Sequence, residues 1–209
     1  MKKRVVLFVA LFLISAIIYA QTIENIEYIS SFNDGLAAIK QDNQWGFINK
    51  SGDIAINFRN DLVTTKLNDG DYPIFKSGRC LIKKEKNGIL YFGYIDTSGK
   101  TVIDPQYLNA NNFNDNEAVT LKLKKEELGK NEVLDKNIVY YKYFEVVIDE
   151  NGNIKSYLTP KGFNVVLDRQ HLRTPPKITS KRISDNLYAV LDQNKKWTIQ
   201  VINEESDFE

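Results

Sequence analysis

A chain with one histidine and one cysteine is restricted in its chemistry before any fold is considered. His171 and Cys80 are the only residues of their kinds. A structural zinc site wants four Cys or His ligands and a catalytic one commonly wants several His, so neither can be assembled here without mostly carboxylates. A Cys80–His171 couple requires the fold to bring a strand residue and a loop residue together. A Ser–His–Asp set could use His171 with Asp168, but the G-x-S-x-G elbow is missing. No phosphate loop of the G-x-x-x-x-G-K-[ST] kind occurs, and no D-x-[DN]-x-[DN]-G calcium loop. A glycosidase needs only two carboxylates, and 27 Asp and Glu supply candidates. No pair of them is singled out by apolar neighbours that would raise a pKa. The expectation is a non-enzymatic protein with no catalytic, cofactor-binding or metal-binding residues.

The elements that surround these residues begin with a leader. Lys2-Lys3-Arg4 precede the apolar run Val5–Ala20, in which Ser15 is the only plainly polar side chain. This is the charged and hydrophobic order of a signal peptide, and it falls short of the ~20 apolar residues a spanning helix needs. Residues 1–20 are therefore expected to direct export to the periplasm or the exterior, with a cut after Ala20. Ile18 is not the small residue usual at that site, so an uncleaved, membrane-tethered form is the alternative. No cysteine stands near the cut to carry a lipid. Loss of the three basic residues takes the formal charge from +1 to −2. Such a balanced chain lacks the positive footprint of a nucleic-acid binder. With Cys80 alone, no internal disulfide can form, and stability must come from packing.

The remaining chain repeats itself. FNDGLAAIK from Phe32, FKSGRCLIK from Phe75, FNDNEAVTL from Phe113 and ISDNLYAVL from Ile183 share a large apolar residue. Three positions later stand Gly35, Gly78, Asn116 and Asn186, the residue types most tolerant of a left-handed backbone. Short apolar runs follow, with Ala37, Cys80, Ala118 and Tyr188 in one column. They read as buried strands. A second block follows twice: WGFINKSGDIAI from Trp45 and FGYIDTSGKTVI from Phe92. In it Asn49-Lys50-Ser51-Gly52 and Asp96-Thr97-Ser98-Gly99 join two apolar runs through an Asx residue and a closing glycine, a hairpin signal. Asp149-Glu150-Asn151-Gly152 is a third copy.

The signature formed by Phe32, Gly35, Trp45, Gly46, Phe47 and Gly52, and again by Phe75, Gly78, Phe92, Gly93, Tyr94 and Gly99, resembles that of the WG-repeat family. The match is good over residues 32–121. It weakens where Glu145-Val146 replace the Trp-Gly pair and where Trp197-Thr198 have no turn glycine after them. The resemblance implies tandem β units and largely uncharacterised, exported or scaffold-like proteins. Trp on a strand buries a large apolar surface, and the adjacent glycine lets another backbone approach closely. Core packing is expected for these residues, with Trp45→Ala costing ~3–5 kcal/mol.

The fold class expected is all-β: tandem antiparallel β-meander repeats in a short solenoid-like or partial-propeller array. The domain plan is a signal peptide at 1–20, a repeat region at 21–174 and a divergent last repeat with an acidic tail at 175–209. Units fall near 32–70, 75–108 and 113–158, the last interrupted by the charged insertion 122–137, which reads as a solvated hairpin or loop, with a short helix around Lys124–Leu128 as the alternative. Pro175-Pro176 mark an extended linker. The function expected is a protein-binding or assembly module in the cell envelope or outside it, with an envelope or extracellular protein as partner. The alternative is a carbohydrate or cell-wall binder, which would need aromatics such as Tyr72, Tyr91, Tyr107, Tyr157 and Phe163 exposed in a row.

Overall fold

The computed structural model describes residues 23–131, 136–192 and 194–202, and among them it contains strands and turns but no helix. The expected leader at 1–20 and the acidic end at 203–209 lie outside the described residues. The first unit is a four-stranded meander of β1 (Tyr28–Asn33), β2 (Leu36–Gln41), β3 (Gln44–Ile48) and β4 (Ile54–Arg59). After the small hairpin β5 (Thr65–Leu67) and β6 (Gly70–Tyr72) comes the second unit, β7 (Cys80–Lys86), β8 (Ile89–Ile95) and β9 (Thr101–Ala110). The third is β10 (Glu117–Asn131), β11 (Lys136–Asp149) and β12 (Ile154–Tyr157), with β13 (Phe163–Val165) on the outer arm of β11. The last is β14 (Lys181–Ser184), β15 (Leu187–Leu191) and β16 (Trp197–Val201). Every pairing within the sheets is antiparallel.

Local turn chemistry fixes where each unit starts. Asp34-Gly35, Ser77-Gly78 and Asp115-Asn116 all have positive φ at both residues and lie between the pairs Asn33–Leu36, Lys76–Arg79 and Asn114–Glu117. Two consecutive left-handed residues make the hairpin turn whose twist matches the flanking strands. The Asx turns are equally regular. The Asn49, Asp96 and Asp149 side chains each accept from the backbone N–H groups two and four residues on, at 2.8–3.1 Å. A fourth copy, without a glycine, precedes Trp197: Asp192 accepts from the Lys196 N–H at 2.7 Å, and Lys195 takes φ of 60°. It joins β15 to β16, the place that Asp42-Asn43 hold between β2 and β3 of the first unit, so it stands before the Trp and not after it.

Side chains alternate across each strand, and the units use the alternation to stack. One face of the first unit (Leu36, Ala38, Phe47, Ile56) packs on Phe75, Cys80, Ile82 and Ile95 of the second. The other face of the second (Leu81, Tyr94, Ile103) packs on Phe113, Ala118 and Ile148 of the third. Val119 and Val147 of the third meet Tyr188 and Val190 of the fourth. Phe75 sits edge-on to Phe47 at 4.8 Å between ring centroids, and Phe113 edge-on to Tyr94 at 4.7 Å. Hence the leading aromatic of one unit plugs onto the [Phe/Tyr] of the Trp-Gly-[Phe/Tyr] block before it. Pairing of β9 with β10 joins the second and third units into one seven-stranded sheet that folds over this core.

The insertion at 122–137 is the pair of projecting arms of β10 and β11, in register from Glu117–Asp149 to Glu127–Val139. Lys124–Glu127 are strand residues there. Alternating charge suits a hairpin whose two faces meet water.

Candidate functional site

The Trp-Gly glycines sit where a neighbouring strand comes closest. A Cβ at Gly46 would lie 2.9 Å from the Ile56 carbonyl oxygen, and one at Gly93 would lie 2.3 Å from the Ile103 oxygen and 2.6 Å from the Pro105 nitrogen. The register explains why. Opposite Gly46 the pairing slips from Phe47–Ile56 to Trp45–Arg59, and opposite Gly93 from Tyr94–Ile103 to Phe92–Tyr107. Each slip is a bulge that presses backbone into the space a side chain would fill. In the third unit Val146 occupies this position, and Val146–Tyr157 and Val147–Ser156 stay in step.

The aromatic positions of the signature divide by unit. Phe47, Phe75, Phe92 and Tyr94 are buried, and the Tyr94 hydroxyl donates to the Asn111 carbonyl at 2.6 Å. Trp45 is only half-buried, packed edge-on to Tyr28 at 5.6 Å. On the inner strand β3 it packs only partly against the core shared with the second unit, so the cost of Trp45→Ala is corrected to about 2 kcal/mol. Chemical denaturation checks this, and a loss above 4 kcal/mol would contradict it. Phe32, in the column of Phe75 and Phe113, is exposed. Ile183, placed in that column by alignment, is turned outward, because a register slip between Arg182–Tyr188 and Ser184–Leu187 puts Arg182 opposite Tyr188 instead. Gly35, Gly52, Gly78 and Gly99 hold their turns at positive φ.

Residues with catalytic potential are dispersed or structural. Cys80 is fully buried, and that burial pushes its thiol far above the usual range. A thiol kept protonated is a poor nucleophile. The His171 Nδ1 lies 2.8 Å from the Asp168 carboxylate, but both side chains are open to solvent, and among the described residues no hydroxyl hydrogen-bonds His171. Asp168 also accepts from the His171 and Gln170 N–H groups, so it closes a turn. Among the described residues no group of three His, Cys, Asp or Glu is arranged to hold a metal.

Two buried carboxylates were missed by the sequence reading, and both tie the last unit to the third. The Glu145 carboxylate accepts from the Thr179 N–H and hydroxyl at 2.9 and 2.8 Å and from the Ser180 N–H at 2.8 Å. This residue stands at the Trp position of its unit. Glu117 accepts from Lys155 Nζ at 2.5 Å and the Tyr188 hydroxyl at 2.6 Å, with Arg182 alongside. Burial alone would push the Glu117 carboxyl up; the Lys155 and Tyr188 hydrogen bonds and the Lys155 and Arg182 charges outweigh it and hold it below its ordinary value. A folded value below the unfolded one means stability that is fully present above about pH 4.3 and lost as pH falls through the lower folded value. Thermal midpoints between pH 5 and 3 should therefore fall more steeply in the wild type than in Glu117→Gln, and parallel slopes would rule out this linkage.

Three surfaces could meet a partner. A cleft of about 550 Å³ lies between the β7–β8 turn and the following 169–176 segment, with Glu85, Arg169 and Arg173 at its rim. Of the aromatics named for a sugar platform, Tyr72 and Tyr107 are buried, Tyr91 is half-buried against Ile89, Leu108 and Leu121, Tyr157 is exposed at 38 % and packs edge-on to Phe144, and Phe163 stacks on Tyr143. The third surface is the outer face of the last sheet. Trp197, Ile199 and Val201 alternate along β16 and are exposed at 50, 64 and 67 %. Leu187, Ala189 and Leu191 stand beside them in register on β15. Lys181 lies over the Trp197 ring at 5.2 Å.

The fold and these surfaces define an all-β protein of stacked antiparallel meander units. The model of the family described as WG containing repeat matches residues 25–45, 45–64 and 92–121, so three segments of the chain carry this repeat. No curated protein and no solved structure matches the chain.

Proposed function

We propose that the protein is an exported, non-enzymatic binding or assembly module that works in the cell envelope or outside it. The observation that carries the reading is the uncovered apolar face of the last unit. Terminal units of stacked arrays ordinarily turn a polar surface to solvent, and contiguous exposed apolar patches mark interaction sites. Export is supported by Lys2-Lys3-Arg4 followed by the apolar run Val5–Ala20. A binding role rather than catalysis is supported by the inert thiol of Cys80 and by carboxylates engaged in joining units.

Cross-linking at native expression level, followed by mass spectrometry, tests this reading. Peptides from a small, reproducible set of envelope proteins are expected on the wild type and lost with Trp197→Ser. An N-terminal peptide beginning at Gln21 would identify the processed, exported form. Capture of background alone, with binding to a glycan array, would replace the protein partner by a carbohydrate.

A further inference from the structure

The last unit differs from the other three in having no fourth strand among the described residues. Elsewhere the strand at the Trp-Gly position is flanked on its far side: β4 lies on β3, β9 on β8 and β12 on β11. β16 pairs with β15 alone and forms the edge of its sheet. The Asp192 N–H donates to the Lys196 carbonyl at 2.9 Å and the Ile202 N–H to that of Asn186 at 2.8 Å, so the even-numbered residues along β16 bond to β15. In an antiparallel ladder the residues between them turn their N–H and C=O groups the other way. Those residues are Trp197, Ile199 and Val201. Thr198, on the opposite face of the strand, is exposed as well, so this side of β16 is open.

Natural sheets protect such an edge with charges, a bulge, shortness or a covering segment. Every other edge among the described residues has one of these. β1, β4, β12 and β14 pair with a slip in register. β7 is covered by 61–63, through the Val63 N–H on the Leu81 carbonyl and the Lys83 N–H on that of Asp61. β5 and β6 carry Lys66 and Asp71, and β13 is three residues long. β16 reads Trp-Thr-Ile-Gln-Val, without charge, and runs in step with β15 from Leu187–Val201 to Leu191–Trp197.

We infer that this edge pairs with the same edge of a second copy of the chain, antiparallel and centred on Ile199. Such pairing sets Ile199 against Ile199, Trp197 against Val201 and Thr198 against Gln200. Apolar then meets apolar on the outer face and polar meets polar on the inner one, and aromatic with β-branched is a favourable cross-strand pair. Charge selects the direction. Lys195-Lys196 precede the strand and Glu204-Glu205 follow it in the sequence, so antiparallel pairing brings basic residues toward acidic ones, whereas parallel pairing sets lysine beside lysine. The same patch serves both partners, and the assembly closes as a dimer. The outer face of Trp197, Ile199 and Val201 stays available to the partner proposed above, on a sheet twice as wide.

Sedimentation velocity of the protein expressed from its full sequence, from about 1 to 200 μM, is the test. A reversible monomer–dimer equilibrium is expected, with nothing larger than a dimer. Ile199→Pro should be monomeric at every concentration and keep a thermal midpoint near that of the wild type, because the N–H it removes is not used inside the unit. Leu191→Lys alters the outer face on β15 and not the edge, so it should still dimerise. Ile199→Cys reports the register: the two-fold brings both thiols within disulfide reach, and oxidation should give a covalent dimer that Leu187→Cys does not give. A wild type monomeric throughout, a dimer kept by Ile199→Pro, a dimer lost with Leu191→Lys, or no covalent dimer from Ile199→Cys would overturn the inference. If Ile199→Pro does not fold, the Leu191→Lys and Ile199→Cys results decide. Cross-links to envelope proteins do not depend on this edge, so failure here is distinguishable from failure of the binding role.

Discussion

Gly93→Ala is expected to cost about 4 kcal/mol or to prevent folding, the largest effect of any single methyl addition in the chain. The added Cβ would meet three backbone atoms, the Ile103 oxygen at 2.3 Å, the Pro105 nitrogen at 2.6 Å and the Asp104 carbonyl carbon at 2.7 Å. Backbone in a bulge cannot rotate aside as a flexible side chain can. Gly46→Ala, facing one backbone oxygen at 2.9 Å, should cost about 1–2 kcal/mol. Denaturant midpoints of the two variants measure the difference. Equal losses would mean that the second unit's bulge relaxes, and that the glycine is there for turn or strand preference only.

Glu145→Ala should detach the last unit while sparing the others, at about 3 kcal/mol. Its carboxylate is the acceptor for two backbone N–H groups and one hydroxyl at Thr179 and Ser180, and the residue is 1 % exposed. Removing it leaves those donors unpaired where water is excluded. Hydrogen exchange is the appropriate measurement. Amides of β15 and β16 should lose protection, while those of β2, β3, β7 and β8 keep theirs. Uniform loss across all units would show that the four unfold as one body and that Glu145 is not a local clamp. Because the last unit carries the exposed Trp197, Ile199 and Val201, the same variant should also lose the cross-links expected of the wild type.

The turns, the strand runs and the repeat period were legible in the residues because each is a local property. Asp34-Gly35 and Asp96-Thr97-Ser98-Gly99 specify their backbone angles and side-chain acceptors wherever they occur. The arms of 122–137 could be read as a hairpin for the same reason, from alternating charge around Gly129. Ile183 and Trp45 misled because burial is not local. A one-residue slip in β14 turns Ile183 outward, and Trp45, on the face that meets the second unit, is only half-covered there, against Tyr28. Glu117 and Glu145 gave no signal, since a carboxylate in a strand looks like a solvated one until its partners, 34–71 residues away, are brought to it.

The sequence by itself thus determined an all-β chain of repeated hairpins, its WG signature and the absence of the usual catalytic motifs, all of which depend on residue type and short spacing. Only the tertiary structure decided which face of each unit meets the one before and which the one after. Strand alternation offers two faces, and the register of distant bulges selects between them. The same choice leaves Phe32 uncovered at one end and Ile199 at the other.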